Sequence, residues 1–510
     1  MFRSRTRLAS MLTLAVACGD GSDTPAASSD STGDTASTSV APATSGTTMP
    51  TSADGTTTTA STGAEASSSS GVDSDDTGSD STGAPPPATI FCPPEIGPEA
   101  AQWRAEFDVF FDTPDSMRRY LDDFPEGSGH WGQTYTLRGL LLMYELTAEL
   151  RYLHELIGQA QALTELAEDS VTWPTGVCGN SFEHSTVVID ARLITPLLRA
   201  AWWMTNSRLR DRLVPDEEGL VGGQTYAEAA QDIATLGAAV LAHHEPELVV
   251  IQSEDFGPYE GETSEYYRFS NSYTCVAGDL MPFNYANSAA AAYAALWHLT
   301  GDVAARDHAE RLTFFWWNRT IAHEPSEGAS LSRWWGYRGK VGERFDPDAF
   351  PGDADQRPED VGHADMSASL AADIYALGLP GLNATRIDQV ALTSKRWVDR
   401  AVADDAPAYY MTGDDTDGEW VDLFDHLPMA CYRASILPDL AAEAPSRLTN
   451  DEGAYRRANL ENLAEFAFYS EFSGTAPGCG PACGDGVCNG PEDCVGCEAD
   501  CGACAPQACR

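Results

Sequence analysis

Basic residues are scarce in this sequence: 31 Lys and Arg stand against 77 Asp and Glu, giving a formal net charge of -46 over 510 residues. Nucleic acid and anionic membrane surfaces are therefore poor partners on electrostatic grounds, and the charge equally suits plain solubility at an exposed surface. The same balance disfavours a polyanionic substrate unless cations or a local basic patch intervene. Long apolar runs are missing as well. The only candidate, Leu8–Ala17, is about ten residues, too short to span a bilayer as a helix. Nor is there a Gly-x-Ser-x-Gly elbow, a phosphate-binding glycine loop, a His-Glu-x-x-His pair or a dinucleotide fingerprint, so nucleotide, hydride and zinc-protease chemistry are set aside.

What is present divides the chain into four parts. Arg3, Arg5 and Arg7 precede the short apolar run and small residues precede Cys18, the three parts of an export signal over residues 1–18. Residues 19–91 are almost entirely Ser, Thr, Gly, Ala, Pro and Asp, with too little apolar surface to offset the entropy of ordering. They are expected to form a disordered stalk able to hold the next part of the chain roughly 45 Å from the stalk's start. Residues 92–475 carry long amphipathic runs broken by Gly, Pro and Asp, and residues 476–510 hold eight of the thirteen cysteines. Such a tail, with almost no apolar core, needs disulfides. One cysteine in the signal, four in the middle (Cys92, Cys178, Cys275, Cys431) and eight in the tail suit an oxidising compartment.

The middle part reads as all-helical. Thr134–Leu166 has helical apolar spacing interrupted at Thr147-Ala148-Glu149, and Ser288–Trp317 repeats the device at Thr300-Gly301-Asp302, so both are expected to be helical hairpins. Further helices are predicted at Asp190–Met204, Tyr226–His243, Ala364–Leu377, Thr385–Val402 and Glu452–Tyr469. A chain of hairpins can close as a toroid or stack as an open solenoid. Unequal, aromatic-rich connecting segments favour an (α/α) toroid with loops crowding one mouth.

The densest chemical signal is Arg357-Pro358-Glu359-Asp360-Val361-Gly362-His363-Ala364-Asp365 at a loop-to-helix junction. Asp360 and His363 lie one helical turn apart, a general acid or base arrangement, while the plainer reading makes Glu359 or Asp360 a helix cap. Trp334, Trp335, Tyr337 and Arg338 precede it, aromatics beside cations that suit a sugar ring, although Trp pairs are more often core. His130, Trp131 and Gln133, with Asn284 and Tyr285, would line the same mouth. His184 with Asp190 and Arg192 is a weaker candidate.

Three strings or sets of strings carry resemblances. Leu14-Ala15-Val16-Ala17-Cys18 resembles a bacterial lipoprotein signal, which implies a lipidated Cys18 and an outer-membrane or cell-surface location; with Ala15 where leucine is usual, the alternative is free secretion. Tyr135-Thr136-Leu137-Arg138-Gly139 with Tyr144-x-x-Thr147-x-Glu149-x-x-Tyr152-Leu153, then Pro282-Phe283-Asn284-Tyr285, then Glu359-Asp360-x-x-His363-Ala364-x-Met366 together resemble six-hairpin (α/α)-toroid proteins of the carbohydrate-active kind across most of residues 100–470. The Cys483-Gly484-Asp485-Gly486-x-Cys488 tail resembles short surface modules of Gram-negative bacteria, with zinc on its Cys-x2-Cys pairs or calcium on Asp485, Glu492, Asp493 and Asp500 as alternatives.

The toroid resemblance implies a monomeric extracellular enzyme on a polysaccharide or glycan, with no cofactor beyond calcium. As a glycoside hydrolase it would use Asp360 or Glu359 as one of two carboxyl groups. As a polysaccharide lyase it would use Tyr337 or His363 as base, with Asn284 and Arg338 neutralising a uronate. A stalked surface protein that binds glycan without cleaving it is the alternative from another class.

Overall fold

The computed structural model describes residues 96–474 apart from stretches at 114–116, 123–129, 168–171, 174–184, 218, 252–262, 271–277, 324–331, 339–344, 350–355, 380, 411–422 and 449–455. The expected signal with Cys18, the stalk, the cysteine-rich tail and His184 lie outside the described residues.

The described part is mostly helical: α1 Pro98–Phe111, α2 Arg119–Asp122, α3 His130–Thr147, α4 Leu150–Ala167, α5 Val187–Thr205, α6 Tyr226–His244, α7 Phe283–Thr300, α8 Val303–Arg319, α9 Val361–Ala376, α10 Ala384–Asp404, α11 Ile436–Arg447 and α12 Arg456–Phe472. Both expected hairpins form. Each turns on the same local chemistry: Thr147 Oγ1 bonds Met143 O and receives Glu149 N, while Thr300 Oγ1 bonds Leu296 O and receives Asp302 N. The residue between enters the left-handed region, Gly301 at φ 75° without steric cost and Ala148 at φ 55° against it. Two small antiparallel pairs were not expected from the sequence. Leu248–Ile251 (β1) pairs with Ser264–Tyr267 (β2), and Ile321–His323 (β3) with Ser332–Trp334 (β4).

Burial sorts the helices into two layers. α3, α5, α7 and α9 are buried almost all round, and α7 carries the run Ala289–Ala292, whose small side chains let neighbouring backbones approach. α10 is one-sided, burying Ile387, Val390, Ala391, Ser394, Trp397, Val398 and Ala401 at helical spacing; Asn383 caps it by accepting from Arg386 N at 3.0 Å. α6 begins with a capping box between Thr225 and Glu228.

The fully buried helices pack in the order α3, α5, α7 and α9, then the 3₁₀ segment Leu427–Cys431, then α12, which packs back on α3. α4, α6, α8, α10 and α11 each lie against this series from outside. The remaining outer position, against α12, is filled by α1 from the other end of the chain: Trp103 stacks on Phe466 at 4.7 Å and Gly97 N donates to Glu471 Oε2 at 2.7 Å, 374 residues away. Cys431 is disulfide-bonded, and Cys92, Cys178 and Cys275 lie outside the described residues.

Candidate functional site

Early residues of the inner helices meet early residues, and late ones meet late ones. Arg192 near the start of α5 lies against the rings of Trp131 and Tyr135 at the start of α3, at 5.8 and 5.5 Å. Asn284 at the start of α7 approaches Met366 early in α9. Further along, Arg138 of α3 bonds Asp373 of α9 and Glu465 of α12, and Arg199 of α5 bonds Asp373 and Glu145 of α3. The inner helices therefore run the same way, and their N-termini share one end. The long connections enter at that end, which is where binding residues concentrate on a helical scaffold.

At this end lies a rim cluster built on the junction before α9. Asp360 caps the helix, accepting from His363 N at 3.1 Å, and also bonds His363 Nδ1 at 2.6 Å. The cap reading and the dyad reading are thus both realised by one side chain. Arg357 stands 3.6 Å from Asp360 and stacks over Tyr337 and Tyr410, while the Tyr337 ring meets His363 edge-on at 5.1 Å. Burial opposes ionisation of Asp360, but the His363 bonds and charge and the Arg357 charge outweigh it and hold the carboxyl below its ordinary range. The His363 side chain is 28% exposed against 9% for Asp360, so the imidazole is the member that faces solvent.

The other residues singled out in the sequence divide between this end and the core. Trp131 and Tyr285 are partly exposed at the helix starts, and Tyr285 meets Phe269 edge-on at 5.9 Å. Arg338 is half-buried and 3.7 Å from Asp279. Trp334 stacks on His323 at 3.7 Å beside β3. Trp335, the residue after β4, does not reach the cleft: it is buried between Trp316 and Trp397, with its Nε1 donating to Glu359. Glu359 is fully buried, and burial drives its carboxyl well above the ordinary range against the hydrogen bond from Trp335, which places it in the core and not in the cleft. Gln133 is spent on Gln159 of α4, His130 is buried, and Asn284 is buried with its Nδ2 4.0 Å from Met366 Sδ.

The sequence did not single out a second cluster, deeper at the same end. Asp425, just before the 3₁₀ segment, hydrogen-bonds Asp365 of α9 and accepts from Asn462 Nδ2 of α12 at 2.5 Å. Solvent reaches Asp425, yet protein encloses it closely enough that desolvation raises its pKa, against the bonds from Asp365 and Asn462 and the charges of Arg192 and Arg138. Two hydrogen-bonded carboxyl groups need a proton between them. Glu461, beside Asn462, is pushed up to about 7, burial outweighing Arg138 and Arg192. Tyr135, closed in by the same groups, is also held neutral by burial. Asp365, Tyr135, Arg138 and Arg192 lay in strings or sets that stood out in the sequence, whereas Asp425, Glu461 and Asn462 did not.

Below this cluster the interior is polar and paired. Arg138 meets Asp373, Glu461 and Glu465 at 3.0, 2.9 and 3.2 Å, and Arg199 meets Glu145 and Asp373 at 2.8 Å each. Trp203 Nε1 adds a bond to Glu145 at 3.1 Å. A narrow cavity lined by Thr134, Arg138, Arg192, Thr195, Arg199 and Asp373 follows this column. Among the described residues no group of three His, Cys, Asp or Glu side chains is placed to hold a metal ion, and no helix is long and apolar enough to cross a membrane. No protein-family model, curated protein or solved structure matches the chain.

Proposed function

We propose that the chain is an exported glycoside hydrolase whose helical hairpins close as an (α/α) toroid, with the active site at the N-terminal ends of the inner helices. The observation that carries the activity is the hydrogen-bonded pair of buried Asp365 and partly exposed Asp425 beside the aromatic and cationic wall of Trp131, Tyr135 and Arg192. Glycoside hydrolysis needs one carboxyl group that keeps its proton and another group that can take one. The Asp365–Asp425 pair is the proton store, and the Asp360–His363 dyad is the acceptor. The pair gives its proton to the leaving oxygen as the glycosidic C–O bond breaks. A water oxygen then bonds the anomeric carbon and its proton passes to the dyad.

The order of inner-helix contacts, returning from α12 to α3, supports the toroid, and the Arg3–Cys18 string with the disulfide at Cys431 supports export. The lyase alternative keeps Arg338 over the Tyr337 ring at 5.9 Å, but Arg338 also faces Asp279 at 3.7 Å and Asn284 is buried against Met366, so its second carboxylate-binding residue does not reach the mouth.

The test is to incubate the mature chain, purified from the periplasm, with neutral and uronate polysaccharides, reading both new reducing ends and absorbance of unsaturated products. Reducing ends without that absorbance, lost in Asp425→Asn, support the hydrolase. Both signals together would make it a lyase. Retention on a glycan column with no product from any glycan would make it a binding protein.

A further inference from the structure

Two aromatic features stand at the mouth. One is the wall of Trp131, Tyr135 and Arg192, carried by the starts of α3 and α5. The other is built where the segment after α10 runs back along the start of α9: Val361 N donates to Tyr409 O at 2.8 Å, and Asp360 pairs with Tyr410 in an antiparallel bridge. An exposed tyrosine by itself needs no explanation. Tyr409, 37% exposed, is also fixed in place: its ring meets Tyr410 edge-on at 4.8 Å and its hydroxyl hydrogen-bonds Arg357. Arg357 in turn stacks over the Tyr337 and Tyr410 rings at 5.3 and 5.5 Å, and Asp360 stands 3.6 Å from it. Ring faces with a guanidinium and hydroxyls at their edges match a pyranose, which has a face of C–H groups and hydroxyls around its rim. Rigid aromatics also give up little conformational entropy on binding.

The Asp365–Asp425 pair joins the two features. Asp365 lies further along α9 than Asp360, and both members of the pair are close enough to Tyr135 to act electrostatically on its phenol. The pair therefore has one aromatic surface on its α3 side and another on its α9 side. A site that removes a terminal sugar has use for one such surface. A second has a use when the glycan continues past the scissile bond in both directions. We propose that Tyr409, Tyr410 and Arg357 form a second sugar subsite, so that a polymer lies across the mouth and is cut at an internal bond. This rests on the glycoside-hydrolase reading and adds the substrate class, a polymer instead of a disaccharide or a chain end.

The experiment follows the full chain on mixed-linkage glucan, xylan, mannan and polygalacturonate, and on purified dimers and hexamers of each. Viscosity, reducing ends and product length are read together, with retention on the immobilised hexamers. The expected result on the cleaved glycan is a viscosity that falls before reducing ends accumulate, first products of intermediate length, and a higher kcat/KM for the hexamer than for the dimer. Tyr409→Ala should lower that hexamer preference by about threefold to tenfold, the size of one aromatic stacking contact, whereas Tyr409→Phe keeps the ring and should retain most of it. Mono- or disaccharides as first products, or a hexamer preference unchanged in Tyr409→Ala, overturn the inference and leave the hydrolase reading intact. If nothing is cleaved, the hydrolase reading fails and retention still decides: a hexamer held less well by Tyr409→Ala keeps the subsite, while equal retention, or none, overturns it. Product length is read on the unaltered chain, so a misfolded variant does not spoil the test.

Discussion

The rim cluster and the deeper cluster share one end of the molecule and four or more acidic side chains, yet their carboxyl groups are pushed in opposite directions. Asp360 at the rim has a helix N-terminus, an imidazole and a guanidinium to stabilise its charge. Asp425 and Glu461 are enclosed, and burial outweighs the charges that face them. At the rim, ionisation is a contribution to stability. In the deeper cluster it is a cost, accepted where two carboxyl groups must retain a proton near neutral pH.

That contrast can be broken by substitution. Asp425→Asn should lower turnover by about 10³-fold, the usual size of a general-acid contribution, with an unchanged or higher melting temperature because a neutral amide replaces an unfavourable acid. Asp360→Ala should lower both, since the cap alone is worth about 1 kcal/mol; steady-state rates and thermal melts on the same preparations separate the two patterns. A loss of stability in Asp425→Asn equal to that in Asp360→Ala would erase the distinction.

Arg138→Met tests the paired column beneath. It leaves Asp373, Glu461 and Glu465 facing one another without their shared cation, and should cost about 3–5 kcal/mol by denaturant titration, as breaking buried ion pairs does.

The pH dependence sharpens the comparison with less perturbation. Glu461 titrates at about 7 in the folded chain, above its ordinary 4.5, so the folded state holds the extra proton and stability from this group falls as pH rises between those values. Asp360 has the opposite sign: its folded value is lowered, so its contribution is present above the ordinary 3.8 and is lost as the solution is acidified through its folded value. Melting temperatures from pH 4 to 8 should therefore show Glu461→Gln gaining on the parent chain as pH rises. A constant difference would mean that Glu461 is ionised throughout.

The smallest expected effect is at the far end. Ala148→Gly removes a left-handed alanine from the α3–α4 turn and should raise stability by about 0.5–1 kcal/mol without altering the site.

These two clusters also explain how far the sequence could be read. Both hairpins were legible because Thr147-Ala148-Glu149 and Thr300-Gly301-Asp302 carry their turn chemistry within three residues. The Asp360–His363 dyad was legible for the same reason, its parts lying within one turn of helix. Asp425 and Glu461 were not, because each sits in a segment of ordinary appearance, and only packing of α12 between α3 and the 3₁₀ segment brings them to Asp365. Trp334 and Trp335 read as a pair in sequence, whereas Trp334 ends β4 stacked on His323 and Trp335, just past the strand, is buried against Trp316 and Trp397. The strand Leu248–Ile251 was missed because four apolar residues carry no period, and α1 because its buried face, Ala100, Trp103 and Phe107, has meaning only against other helices, Phe466 of α12 for Trp103 and Tyr152 of α4 for Phe107.

The contact of α1 with α12 has a consequence for the order of assembly. The Trp103 face of the helix that is synthesised first among those described cannot be covered until the one synthesised last has emerged, with Gly97 and Glu471 as the two ends of the clasp, although Phe107 already has Tyr152 of α4 to pack on. Any shorter nascent chain leaves the α12 position empty, and joining ends so far apart adds the closure entropy of a very long loop. The same proximity of its two ends makes the finished domain a candidate for circular permutation, with new termini opened at the Thr300-Gly301-Asp302 turn.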